Sequence, residues 1–246
     1  MSNLFIPFEQ GYSVVQQPST FSSYFSEGFQ RDFISLMYPR AFNGSTVRLE
    51  SLSVCSDGSI LLGCSPLDFY SFLGSNLLVG SIELNSHNFT NYITCSYLAN
   101  SIAVSVLVYD SNYVLLTKRS SKVALSPHII GVSATGGVTM VDLQTSDCLR
   151  SAVVTEVKEE LGLELEFKQV QVIGLYISQD KLQPVAICFV KVSDLTILDL
   201  RGSDTTFEVE SFIKVPFSEL TALNLKGSTD TSRFQLDYFI TENSVN

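Results

Sequence analysis

Three observations predict a mixed α/β protein. Short runs of Val, Ile, Leu, Phe and Tyr alternate with Ser, Asn, Asp and Gly over most of the chain, which is the texture of strands and turns. One stretch, 147–161, instead spaces its apolar residues by three and four and ends at Gly162, the pattern of a helix and its stop. Apolar residues fill 45% of the 246 positions and charged residues only 16%, so the chain can bury a core and does not read as disordered.

In chain order, the first residues read as an opening loop, followed by a short helix over Phe29 to Tyr38 and strands over Val47 to Cys55 and Ser59 to Cys64. Ser65 and Pro66 read as the cap and first residue of a helical turn that stops at Gly74. SIAVSVLVYD and NYVLLTKR flank Asp110 and Ser111 as the two arms of a β-hairpin. Gly136 and Gly137 read as a glycine turn before the 147–161 helix. Strands are predicted over Leu165 to Ser178, Pro184 to Val192 and Phe207 to Val215, then a short helix over Phe217 to Leu223 and a last one over Thr231 to Thr241.

Composition narrows the function. A net charge of −10 argues against binding nucleic-acid polymers, which needs a basic surface that releases counterions. A small anionic substrate stays compatible with this acidity when a divalent cation stands between carboxylates and phosphates. The five cysteines show no paired zinc spacing, so reduced structural thiols are expected. The start MSNLFIPFEQ lacks a basic segment followed by a long apolar run, and no stretch is apolar enough to span a bilayer, so a soluble, cytoplasmic protein without membrane attachment is expected. Asn43 and Asn88 sit in glycosylation-type triplets and are read as surface polar residues.

The segment that carries chemistry is GGVTMVDLQTSDCLRSAVVTEVKEELGLEL, Gly136 to Leu165. On a helix, Glu156, Glu159 and Glu160 are three and four positions apart and share one face, while Val154, Val157 and Leu161 face the other way. Like charges at this spacing repel unless a cation lies among them, and hard oxygen donors suit Mg²⁺ or Mn²⁺. The bland alternative is a solvated charged helix face, the usual fate of such runs.

The whole arrangement of glycine pair, spacer, helix, Glu, Glu pair, Gly162 and apolar residue resembles the Nudix hydrolase box. The resemblance implies a Nudix α/β/α sandwich, a loop–helix–loop that binds metal and diphosphate, and Glu156, Glu159 and Glu160 as metal ligands and catalytic residues. Two departures stand out. Thr155 occupies the place of the box arginine, and the spacer is longer than usual, so either Asp142 or Asp147 corresponds to the box's earlier Glu.

VRLESLSVC, DFYSFLGSN, YLAN and LLTKRSSKVA resemble, in the same order, segments of the animal UDP-glucose/UDP-galactose Nudix hydrolase branch. That branch implies a β-rich N-terminal subdomain over 1–98 that contributes to substrate recognition, and a Nudix domain over 99–246. It also implies cleavage of a nucleoside diphosphate sugar, a UDP-sugar, to UMP and sugar 1-phosphate. Asp68, Tyr70, Gly74, Ser75 and Asn76 are candidates to border the nucleotide or sugar, or else simply a helix and its stop. Lys118 and Arg119 end a strand and are candidates to meet phosphate oxygens, or else simply a solvent-exposed strand end, and Gly136 and Gly137 are further substrate-binding candidates. Glu208 is preferred over Glu210 as a further catalytic carboxylate, although strand alternation puts both on one side. His87 and His128 have no nucleophile partner and read as surface or loop residues. Rival readings are a Nudix pyrophosphatase for ADP-ribose or NADH, and a catalytically silent nucleotide-binding module.

Overall fold

The computed structural model describes residues 4–23, 25–78, 95–177, 181–196, 198, 200, 207–223 and 227–243. His87, Asn88 and Ser178 lie outside the described residues. The chain is a mixed α/β protein, as its texture predicts. It divides into two compact units, the first made of Met1–Ala103, Gly137–Leu149 and Ile173–Ala186, the second of Val104–Gly136, Arg150–Val172 and Ile187–Asn246.

In the first unit the predicted opening loop holds two strands, β1 (Leu4–Pro7) and β2 (Tyr12–Gln16). Both are short, and neither LFIP nor YSVVQ shows the apolar alternation that marks a strand in sequence. Pairing reveals them. Strand β2 runs parallel to β4 (Ile60–Asp68), from Tyr12 opposite Ile60 to Gln16 opposite Cys64. The other side of β4 pairs antiparallel with β3 (Ser45–Val54), giving the order β2-β4-β3. Strand β1 pairs antiparallel with the Gly174–Ile177 end of β9 (Val170–Ile177). Helix α1 (Glu27–Met37) starts at Ser26, whose hydroxyl accepts from the Phe29 amide at 3.3 Å.

Ser65 and Pro66 do not open a helix. Both lie in β4, where Pro66 stands opposite Val47, and the buried Ser65 hydroxyl donates to Glu50 at 2.5 Å. The cap is Asp68, whose carboxylate accepts from the Ser71 amide at 3.0 Å and starts α2 (Phe69–Phe72). Gly74 is no stop either: the chain passes through it in a π-helical turn, Leu73–Leu77. Around β3 and β4 a core forms from Val47, Leu49, Leu62, Phe72, Leu73 and Ile102, each fully buried.

The same unit buries an ion pair between Arg48 and Glu50. Arg48 also donates to the carbonyls of Leu98 (3.1 Å) and Cys95 (2.9 Å), and Glu50 accepts from the amide (3.1 Å) and hydroxyl (2.6 Å) of Thr20. Removal from water opposes the charge on Glu50, but Ser65, Thr20 and Arg48 outweigh it and hold the carboxyl at about 2. Such a pair is tolerated in a core only when its remaining donors and acceptors are met, as here.

In the second unit the hairpin is formed by β5 (Ala103–Tyr109) and β6 (Tyr113–Arg119), with Val108 opposite Leu115 and Tyr109 opposite Val114. Asp110 closes it by accepting from the Asn112 and Tyr113 amides, both at 2.7 Å. Strands β10 (Pro184–Lys191), β5, β6 and β11 (Val209–Pro216) follow one another in the sheet. Short β7 (Ile130–Gly131) adds to β6, and β8 (Ala134–Gly137) to β5. The predicted strand from Leu165 begins only at Val170, because Glu166 and Gln169 cap each other across a 3₁₀ turn at Phe167–Gln169. The last helix, Asp230–Asn243, buries Gln235. That amide donates to the carbonyls of Ser105 (3.2 Å) and Cys188 (2.7 Å) and accepts from the Ser105 hydroxyl (2.5 Å), so its burial leaves no bond unmade.

All five cysteines are free thiols. Burial, then the Asp147 and Asp142 carboxylates, push the Cys148 thiol up to about 12. Among the described residues no helix is long and apolar enough to cross a membrane.

Candidate active site

The helix that carries the acidic motif runs Cys148–Leu161. It ends where predicted: Gly162 takes the left-handed conformation at φ 73° and its amide donates to the Lys158 carbonyl at 3.0 Å. Ala152, Val153, Val157 and Leu161 are buried, which fixes the rotation of the helix about its axis.

That rotation turns Glu156 and Glu160 toward β8. Glu160 is 3% exposed and accepts from the Thr135 amide at 3.2 Å. Glu156, one turn earlier, lies over Gly136, where an added Cβ would run into its carboxylate. Gly136 and Gly137 therefore do not form the predicted turn. They are strand residues, and at position 136 the missing side chain is what admits the carboxylate. Glu159 is half-buried and Thr155 is exposed. Lys158 pairs outward with Glu164 at 2.9 Å.

Arg119, at the end of β6, approaches the same strand. Its Nη1 donates to the Thr135 hydroxyl at 3.1 Å, and its Nη2 lies 3.6 Å from Glu208 Oε2. Thr135 thus links Arg119 on its side chain to Glu160 on its amide. No sequence signal singles out this threonine. Lys118 faces elsewhere, pairing with Glu210 at 2.6 Å on the exposed side, where His128 Nδ1 also lies 3.8 Å from Glu210.

The structure separates the two glutamates that alternation leaves equivalent. Val209 stands opposite Arg119 but Ser211 opposite Lys118, so Glu210 is the extra residue of a β-bulge. Glu208 ends up half-buried beside Arg119, and Glu210 exposed beside Lys118.

The remaining candidates lie in the first unit. Asp68 caps α2, Tyr70 donates from its amide to Asn43 Oδ1 (2.9 Å) and from its hydroxyl to the Ala41 carbonyl (3.1 Å). Ser75 and Asn76 are buried, accepting from the amides of Ala99 (3.0 Å) and Asn100 (3.1 Å) respectively. A Cβ on Gly74 would meet the Gln30 side chain at 2.9 Å, and one on Gly137 would meet Thr46 Oγ1 at 3.8 Å. Asp142, buried, forms a capping box with Thr139, and Asp147 accepts from the Tyr12 hydroxyl at 2.5 Å.

Glu156, Glu159, Glu160 and Glu208 offer hard oxygen donors of the kind a divalent cation prefers. Among the described residues, however, no three acidic, histidine or cysteine side chains are already gathered into a cation cage.

No family model matches the sequence, and no curated protein matches it. Solved structures with a similar chain path include a bifunctional NMN adenylyltransferase/ADP ribose pyrophosphatase from Francisella tularensis, complexed with AMP and a Mn ion. It is 12% identical, with 71% of this chain and 49% of that one covered at a TM-score of 0.46. A NUDIX hydrolase from Alicyclobacillus acidocaldarius is 10% identical over 57% of this chain and 91% of that one, with a TM-score of 0.46. A MutT NUDIX hydrolase from Burkholderia pseudomallei is 18% identical over 56% and 95%, with a TM-score of 0.40.

Proposed function

We propose that this chain is a Nudix-type hydrolase that uses Mg²⁺ or Mn²⁺ to split the pyrophosphate bond of a UDP-sugar, giving UMP and sugar 1-phosphate. The observation that carries the reading is the seating of Glu156 and Glu160 against β8, with glycine at the one position where a side chain would collide. A merely solvated charge run has no reason to bury Glu160.

In this reading Glu156, Glu159 and Glu160 hold the cation. When bound, it supplies charge neutralisation for the diphosphate and acidifies a water molecule. Glu208, or one of the helix glutamates, would accept a proton from the attacking water. Glu208 suits the task because it is half-buried just before β11 with Arg119 Nη2 3.6 Å away. Recognition of the uracil and sugar is assigned to residues 1–98 and hydrolysis to 99–246. Support for the UDP-sugar comes from the segments around Asp68–Asn76 and Leu115–Ala124 in the sequence.

A nucleotide-binding module without turnover is the rival favoured by the exposed Thr155 and by the ungathered carboxylates among the described residues. Purified protein assayed with Mg²⁺ against UDP-glucose, UDP-galactose, ADP-ribose and NADH separates the readings. Faster turnover of the two UDP-sugars, with UMP as product, is expected. Preference for ADP-ribose or NADH, or release of UDP, overturns the substrate or the bond, and binding without turnover overturns the activity.

A further inference from the structure

Helix α1 packs one side against the first unit and turns a second apolar side to water. It rests on α2 and the π-helical turn, with Ile34 only 3% exposed and the Gln30 side chain lying over Gly74. Phe29, Phe33, Leu36 and Met37 recur at helical spacing and form a separate stripe, centred about 100° round the helix from that packed side. Phe29 is 51% exposed, Leu36 79% and Met37 56%, while Phe33 is half-buried. Phe25 stacks on Phe29 with ring centroids 5.2 Å apart and extends the stripe beyond the helix start. Taking about 200 Å² for each large side chain, the stripe leaves about 400 Å² of apolar surface in water. That is the size of the largest patch on a whole ordinary monomer, and patches of this size mark contact surfaces.

We propose that this stripe is the surface by which two copies of the chain pair, α1 against α1, about a two-fold axis near Phe33. A two-fold contact sets the same patch against itself, and an uncharged seam with spacings of three and four lets two helices interdigitate. The area is sufficient. Two copies remove about 800 Å² of apolar surface, which at an apolar share of about 60% corresponds to an interface of about 1,300 Å², above the roughly 1,000 Å² that a specific contact needs. Charge speaks against a bilayer as the occupant. Helices that lie on membranes are rich in Lys and Arg, whereas α1 has Arg31 against Glu27 and Asp32, in a chain of net charge −10.

The test is sedimentation velocity of the full chain over a wide range of concentration, which does not depend on hydrolysis. The wild type is expected to approach about 54 kDa, twice the 27.1 kDa of one chain. Leu36→Lys places a charge on the seam and is expected to raise the dimer dissociation constant at least about tenfold with an unchanged melting curve, since the residue is exposed in the single chain. Met37→Lys repeats the test at a second seam position, so the outcome does not hang on one variant folding well. Val54→Lys puts the same charge on β3 at a valine that is 69% exposed, and is expected to shift the constant by less than about twofold. A dimer unchanged by both seam variants, or weakened equally by Val54→Lys, overturns the pairing through α1. A wild type that stays monomeric also overturns it, and co-sedimentation of that monomer with phosphatidylcholine vesicles would give the face to a bilayer instead.

Discussion

The Glu156 carboxylate occupies the space that a Cβ on residue 136 would need. Gly136→Ala therefore forces α-helix and strand apart or turns the carboxylate away, and also strains the Thr135–Glu160 contact one residue along. Overpacking of this kind costs about 1–3 kcal/mol. The expected result is a modest fall in melting temperature with a loss of UDP-glucose turnover of about a hundredfold, the scale of a small misplacement of catalytic groups. An alanine variant with wild-type turnover would mean that Glu156 does not act from this position.

Asp110 closes the β5–β6 hairpin and also accepts from the Leu195 amide at 2.8 Å, while itself only 3% exposed. Asp110→Ala leaves three amide donors, those of Asn112, Tyr113 and Leu195, without their acceptor. A loss of at least about 2 kcal/mol is expected in urea unfolding, given what an unmet buried donor costs. A midpoint equal to that of the wild type would show that water replaces the carboxylate at no cost.

Acid should act on the first unit through Glu50. Its folded carboxyl is held at about 2, below the ordinary value of 4.5, by Ser65, Thr20 and Arg48 against the effect of burial. A depressed carboxyl contributes stability that is complete above the ordinary value and drains away as pH falls toward the folded one. Melting temperature should therefore decline between pH 4.5 and about 2, and Glu50→Gln, though less stable at neutral pH, should decline less over the same window. Parallel curves for the two proteins would remove Glu50 from the acid response.

The elements legible in the sequence are those specified by near neighbours. The acidic helix ends at Leu161 because Gly162 alone supplies the left-handed residue, and the hairpin shows itself through two apolar runs around Asp110. Strands β1 and β2 were not legible, because β1 is completed by β9 from far along the chain and β2 by β4, and neither is long enough to show an alternation of its own. The site divides the same way. Glu156 and Glu160 are readable as one helix face, but Gly136 signals a turn in sequence and proves to be a strand position kept bare for a carboxylate. The choice between Glu208 and Glu210 turns on a bulge that alternation cannot show, and Thr135 acquires its place only when β6, β8 and the helix come together.

The most direct measurement is UMP release from UDP-glucose by wild type and Glu160→Gln in the presence of Mg²⁺. Glutamine retains an acceptor for the Thr135 amide and nearly the same volume, so the fold should persist, while the negative charge that the proposed cation would need is gone. Turnover lower by at least about a thousandfold, with an unchanged melting curve, is the predicted result. Near-normal UMP release from a folded Glu160→Gln protein would contradict the account.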